Sequence, residues 1–196
     1  MHRNQLLQQL TSYTTDDSTE QLFITQFLEL LAHPDAYQRF HLPGHITGSA
    51  WVSDPKGGQI LLTHHAKLNK WLQPGGHADG DEDVIGVATR ELREETGLSA
   101  HTLVSDQIFD IDIHVIPARG DMPQHLHFDI RFWFFAEPTL ALSVTEESHA
   151  LSWVKRADLA SISRGNESML RMAQKMDRYF EVNNKAPKAN TTIQNR

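Results

Sequence analysis

The sequence predicts an α/β domain carrying a helical extension at its N-terminus. Three observations point there. Residues 4–32 repeat apolar positions at helical intervals, short β-branched and aromatic runs begin at Ile46, and a strongly patterned helix near residue 90 is flanked by strands on both sides.

Leu6, Leu7 and Leu10 form the apolar stripe of a first helix, which ends in the polar run from Thr11 to Thr19. Asp17 with Glu20, and Ser18 with Gln21, have capping-box spacing ahead of Leu22, Phe23, Phe27, Leu30 and Leu31. Pro34 closes this second helix. Residues 1–40 therefore read as a helical extension, with packing on the domain and homodimerisation both open as its use.

The runs ITGSAWVS and QILLTHH flank Asp54-Pro55-Lys56-Gly57-Gly58, the pattern of a hairpin. A short strand at 71–73 enters the turn Pro74-Gly75-Gly76. A helix follows from about Asp83 to Thr96, with Gly97 as its C-terminal cap. Strands at about 107–116 and 125–136 alternate cleanly. Phe109, Ile111, Ile113 and Val115 oppose Asp110, Asp112 and His114, while Leu126, Phe128, Ile130, Phe132 and Phe134 oppose His125, His127, Asp129 and Arg131.

The connection 117–124 sets an antiparallel register with Asp110 opposite Arg131 and His114 opposite His127. That register gathers six polar side chains on one face, which either lines a substrate cleft or is simply solvated. A strand at 150–155 and a helix at 166–181 complete a domain expected over residues 41–182. The polar tail from Asn183 to the end reads as disordered.

Eighteen Lys and Arg against 25 Asp and Glu leave a charge of −7, which disfavours duplex nucleic acid and anionic membranes as partners. The chain has no cysteine, which removes disulfides, thiolate catalysis and Cys-based metal sites. No signal-type or membrane-length apolar run occurs, so a cytoplasmic protein is the expectation. Twelve histidines keep other metal sites open. His125-x-His127 has the same-face spacing of a metal pair, but the sequence identifies no third ligand. His64 and His65 face opposite ways on a strand, so at most one faces a site. The tryptophans read mainly as core.

Chemistry concentrates in GHADGDEDVIGVATRELREETGL, Gly76 to Leu98. Seven acids against two bases give this stretch a charge of −5. Glu91, Glu94 and Glu95 fall within a roughly 100° arc of one helix face. They repel one another and sit at the negative end of the helix dipole, a cost of ~0.3–1 kcal/mol each. A bound cation offsets this cost, and oxygen ligands suit Mg²⁺, with Mn²⁺ as a substitute. A solvated acidic helix end is the competing reading.

Gly76, Glu82, Arg90, Glu91, Leu92, Glu94, Glu95, Gly97 and Leu98 fill every fixed position of the pattern G-x5-E-x7-R-E-U-x-E-E-x-G-U, with U apolar. The segment resembles the signature box of the Nudix hydrolase superfamily. A chance match in a chain this long is on the order of one in ten million. The likeness extends over about residues 42–160. It implies an α/β/α sandwich around a mixed sheet.

The same resemblance implies a catalytic set of Glu91, Glu94, Glu95 and Glu147, with Glu91, Glu94 and Glu95 holding divalent metal. Glu82 would support the loop, Arg90 would orient the carboxylates, and Gly76 and Gly97 would permit the turns. Arg131, His127, Asp129 and His77 are candidate substrate contacts. The implied reaction is hydrolysis of a diphosphate linkage in a nucleoside diphosphate joined to another moiety, a small nucleotide-type substrate. Cations would bridge phosphate to carboxylate and position water, and a glutamate would take its proton. A non-catalytic nucleotide-sensing module and an RNA 5′-end pyrophosphohydrolase are the alternatives. The subclass markers do not name the substrate, because Ile113-His114-Val115 stands where a marker proline or tyrosine is expected.

Overall fold

The computed structural model describes residues 2–146 and 148–185. Its organising element is β1 (Gly44–Ser53), buried along its whole length. A strand buried on both faces and both edges needs partners everywhere. The strand β7 (His125–Phe135) runs parallel to it through ten paired positions. On the other edge, β4 (Gly75–His77) pairs antiparallel with Thr47–Ser49, and β2 (Gln59–His65) pairs with Val52 and Ser53. Beyond β2 lie β3 (Lys70–Leu72) and β8 (Ser148–Lys155), while β5 (Thr102–Leu103) and β6 (Asp110–Ile116) pair with β7.

The β1–β2 hairpin forms as the pattern predicts. Asp54 accepts the backbone N–H groups of Lys56 and Gln59. The Gly75-Gly76 segment is more than a turn, since as β4 it joins the sheet.

Helices cover both faces, giving an α/β/α sandwich around a mixed sheet. On one side α1 (Arg3–Ser12), α2 (Ser18–Leu31) and α3 (Val84–Thr96) bury Leu6, Leu10, Phe27, Val87 and Leu92 against Ile46, Val52, Ile130 and Phe132. On the other, α5 (Glu167–Lys185), preceded by the short α4 (Leu159–Ile162), packs Met169, Met172, Ala173 and Met176 on Trp51, Leu62 and Trp133. Asn183, expected to open the disordered tail, instead lies in α5, where its side chain donates to the carbonyl of Tyr179. Residues 186–196 of that tail lie outside the described residues.

The N-terminal extension is built into the domain. Asp17 caps α2 by accepting from the N–H groups of Thr19 and Glu20. Glu20 does not reach back as a capping-box partner but points inward, with no exposed surface. The reason lies on the free edge of β6, whose backbone groups need partners. Glu20 accepts from the N–H of Ile111, Arg171 donates to the Ile111 carbonyl, and Lys175 and Tyr13 donate to that of Phe109. Lys175 bridges Glu20 at 2.5 Å and Asp110 at 2.7 Å, and Arg171 grips Asp110 at 2.9 and 3.0 Å. Side chains from α2 and α5 thus take the place of a neighbouring strand.

Candidate active site

Helix α3 presents the acidic constellation. Val84, Val87, Ala88 and Leu92 anchor its apolar face, and it ends at Gly97, whose φ of +69° is the left-handed conformation that glycine adopts without strain. Glu95 is buried, and its carboxylate accepts the Gly75 N–H at 2.7 Å. The Glu91 carboxylate lies against the bare α-carbon of Gly76, where a Cβ would stand 2.5–2.8 Å from its carboxyl atoms. Arg90 donates to Glu91 at 3.0 Å and to the His77 carbonyl at 2.9 Å, so it holds the carboxylate and the loop together. Glu94 faces solvent. Glu82 accepts from Arg3 Nε at 2.9 Å, and Arg3 also donates to the carbonyls of Leu31, His33 and Pro34.

The donor set of this helix end is all oxygen, which fits Mg²⁺ or Mn²⁺. The space kept open at Gly76 is the space the Glu91 carboxylate uses. Gly76→Ala is therefore expected to keep the fold, because only the flexible end of Glu91 must move. Metal-dependent activity should nevertheless fall. Far-UV circular dichroism together with a Mg²⁺ titration of activity would check this.

The polar face of β6 and β7 has the predicted register, with Asp110 opposite Arg131 and His114 opposite His127. Its use differs from the expectation. Arg131 is 2% exposed and donates from Nε to Asp129, from Nη1 to Asp110 and from Nη2 to Asp112. Asp129 also accepts from Thr47, Ser49 and Gln73. Both side chains are buried and every guanidinium nitrogen of Arg131 is engaged, which leaves neither free for a direct substrate contact. The pair instead braces the sheet beneath Gly75, whose register partner is Ser49.

Burial alone would raise the pKa of Asp110 and Asp112, but the neighbouring Arg171 and Arg131 outweigh it and hold both carboxyls below their ordinary value. For Arg131, the three aspartates overcome the opposing effect of burial and push its pKa up.

His77 and His127 lie at the other end of the face, together with His45 and His125. The ring centroids of His77 and His127 are 4.8 Å apart, and those of His45 and His125 are 5.0 Å apart in a stack. Burial, and then the charge of Arg39, lower the His77 pKa to about 4. Burial also lowers those of His45 and His127, reinforced for His127 by His77, His114 and His45.

With the His77 pKa lowered from 6.5 to about 4, the unfolded chain binds more protons than the folded one across that window. Stability of chelator-treated protein should fall as pH drops through that window. It should fall further below about pH 4, where the unfolded-state aspartates take up protons before Asp110 and Asp112 do. Thermal melts across this range check both stages.

Glu147 lies outside the described residues. His64 stacks on Trp71 at 4.9 Å and stands edge-on to His149.

The model of the NUDIX domain matches residues 44–176. The chain belongs to the Nudix family. Among curated Nudix relatives, it is 36% identical over 63 residues to nucleoside diphosphate-linked moiety X motif 6 of Xenopus laevis, covering 29% of each chain. It is 44% identical over 45 residues to phosphatase NudJ of Escherichia coli K12, covering 22% of this chain and 29% of that one. The matched stretch thus spans under a third of either relative.

Among solved structures, a MutT protein from Methanosarcina mazei Go1 aligns with a TM-score of 0.54 at 22% identity, over 73% of this chain and 96% of that one. A C. elegans Ap4A hydrolase aligns with a TM-score of 0.51 at 18% identity, over 70% and 98%. These likenesses show the Nudix fold. Among the described residues, no helix is long and apolar enough to cross a membrane.

Proposed function

We propose that this chain is a metal-dependent pyrophosphohydrolase that cleaves the diphosphate linkage of a nucleoside diphosphate joined to a second moiety. The observation that carries this reading is the complete Nudix box folded so that Glu91 and Glu95 are clamped against Gly75 and Gly76 of β4. The name of the Xenopus relative, which describes a nucleoside diphosphate-linked moiety, supports the substrate class.

Bound Mg²⁺ would supply charge neutralisation of the phosphoryl oxygens and activation of water. Glu91, Glu94 and Glu95 are the residues that would hold it. Arg90 keeps Glu91 aimed by a charge-assisted hydrogen bond and ties it to the backbone of His77. The Gly75 N–H fixes Glu95. A glutamate of this set accepts the proton of the attacking water as the new O–P bond forms and the bridging P–O bond breaks, with the second phosphate leaving. Glu147 is carried as a further acid of the set, on the resemblance alone.

Hydrolysis in ¹⁸O-labelled water tests the mechanism. One ¹⁸O per turnover on a single phosphate product, with activity abolished by EDTA and restored by Mg²⁺ or Mn²⁺, is the expected result. Activity that survives metal removal would overturn it.

A further inference from the structure

We infer that His45, His77, His125 and His127 form a second metal site, structural and selective for a borderline-soft divalent ion such as Zn²⁺, separate from the box carboxylates. One ring nitrogen from each of the four residues can be chosen so that all lie within 4.8 Å of one another. Tetrahedral zinc at about 2.0–2.1 Å from each nitrogen needs nitrogens roughly 3.4 Å apart, so small ring rotations complete the site.

The rings come from three adjacent strands. In the parallel pairing of β1 and β7, His45 lies opposite His127, and His125 is two residues before it on the same face. In the antiparallel pairing, His77 of β4 lies opposite Thr47, two residues beyond His45.

The protonation pattern is that of ligands. Nδ1 of His125 is 2.9 Å from the Pro123 carbonyl, and Nδ1 of His45 is 3.3 Å from the His41 carbonyl. A carbonyl only accepts, so each Nδ1 carries the proton and each Nε2 presents a lone pair, the arrangement that orients metal-binding imidazoles. The Nε2 atoms of His45 and His127 are buried and find no hydrogen-bond partner among the described residues. Such atoms cost free energy unless something occupies them.

Four nitrogen donors are wrong for Mg²⁺ and right for Zn²⁺, Co²⁺ or Ni²⁺. Four protein ligands leave no open position, which marks a structural site and not a catalytic one. Its consequence is local. An ion here joins β1, β4 and β7 directly beside Gly76 and the His77 carbonyl that Arg90 holds. This assignment replaces the direct substrate contact expected of His77 and His127, and it does not depend on which diphosphate is cleaved.

The test uses the full chain stripped with chelator. Addition of Zn²⁺ should give one tightly held ion per chain after removal of free metal, and a Tm rise of roughly 5 °C or more at saturating ion. Co²⁺ should give the intense visible absorption of a tetrahedral site. His125→Gln and His127→Gln, introduced separately, should each remove the Co²⁺ spectrum and most of the Tm rise, whereas Glu94→Gln should keep both. The inference is overturned if the wild-type chain holds no stoichiometric Zn²⁺. It is also overturned if binding survives both histidine substitutions, or if Glu94→Gln abolishes it and so places the ion on the box.

Discussion

Glu95→Gln is expected to lower Mg²⁺-dependent turnover by roughly a hundredfold or more, about 2.7 kcal/mol of barrier, while leaving the fold intact. The geometry makes this a clean substitution. Glu95 is buried and accepts the Gly75 N–H at 2.7 Å, and an amide oxygen in its place can accept the same bond. What disappears is the negative charge that a cation site needs. Glu94→Gln should give a loss of similar order with even less structural effect, because Glu94 is exposed. Steady-state kinetics as a function of Mg²⁺ concentration, beside thermal melts, separate the two contributions. Both variants should melt with the wild type, and wild-type turnover in both would remove the carboxylates from the metal site.

Asp110→Ala is the substitution expected to cost most stability. Asp110 is completely buried and is gripped by Arg131, Arg171 and Lys175. Its removal strands cationic groups in a site closed to water, a change that typically costs about 3–5 kcal/mol. For a chain of this size that corresponds to a fall in Tm of about 10 °C. Glu20→Ala should show a smaller loss of the same kind, since Lys175 keeps Asp110 but the Ile111 N–H loses its acceptor. A double-mutant cycle with Arg171→Ala should show strong coupling, the second change costing much less once Asp110 is absent. Additive losses would mean that the cluster is not the unit that seals the β6 edge.

The box was legible because its spacing along one helix already places Glu91, Glu94 and Glu95 on one face, whatever the rest of the chain does. The register of β6 and β7 was legible too, because alternation and a short connection leave little freedom in how two strands pair.

What covers a strand face is another matter. The burial of Asp110, to which Arg131 donates, depends on Arg171 and Lys175, which lie one helical turn apart on α5 and meet Asp110 across 61 and 65 residues. Nothing near Glu20 announced that its partner would be Lys175, 155 residues away. The histidine group escaped for the same reason. The pair His125 and His127 was visible at its two-residue spacing, but the other two members enter through a parallel pairing with β1 and through a Gly-Gly segment that reads as a turn and is a strand.

A hydrolysis panel of NDP-sugars, dinucleotides, nucleoside triphosphates and CoA-type diphosphates, run with Mg²⁺ and with products identified by mass, tests most directly whether the box carboxylates serve metal-dependent cleavage of a nucleotide-linked diphosphate. The account predicts that at least one member is cut at its diphosphate linkage by the wild-type chain, and that Glu94→Gln and Glu95→Gln lose that activity while remaining folded. Nucleotide binding without cleavage of any member would contradict it and make the chain a sensing module.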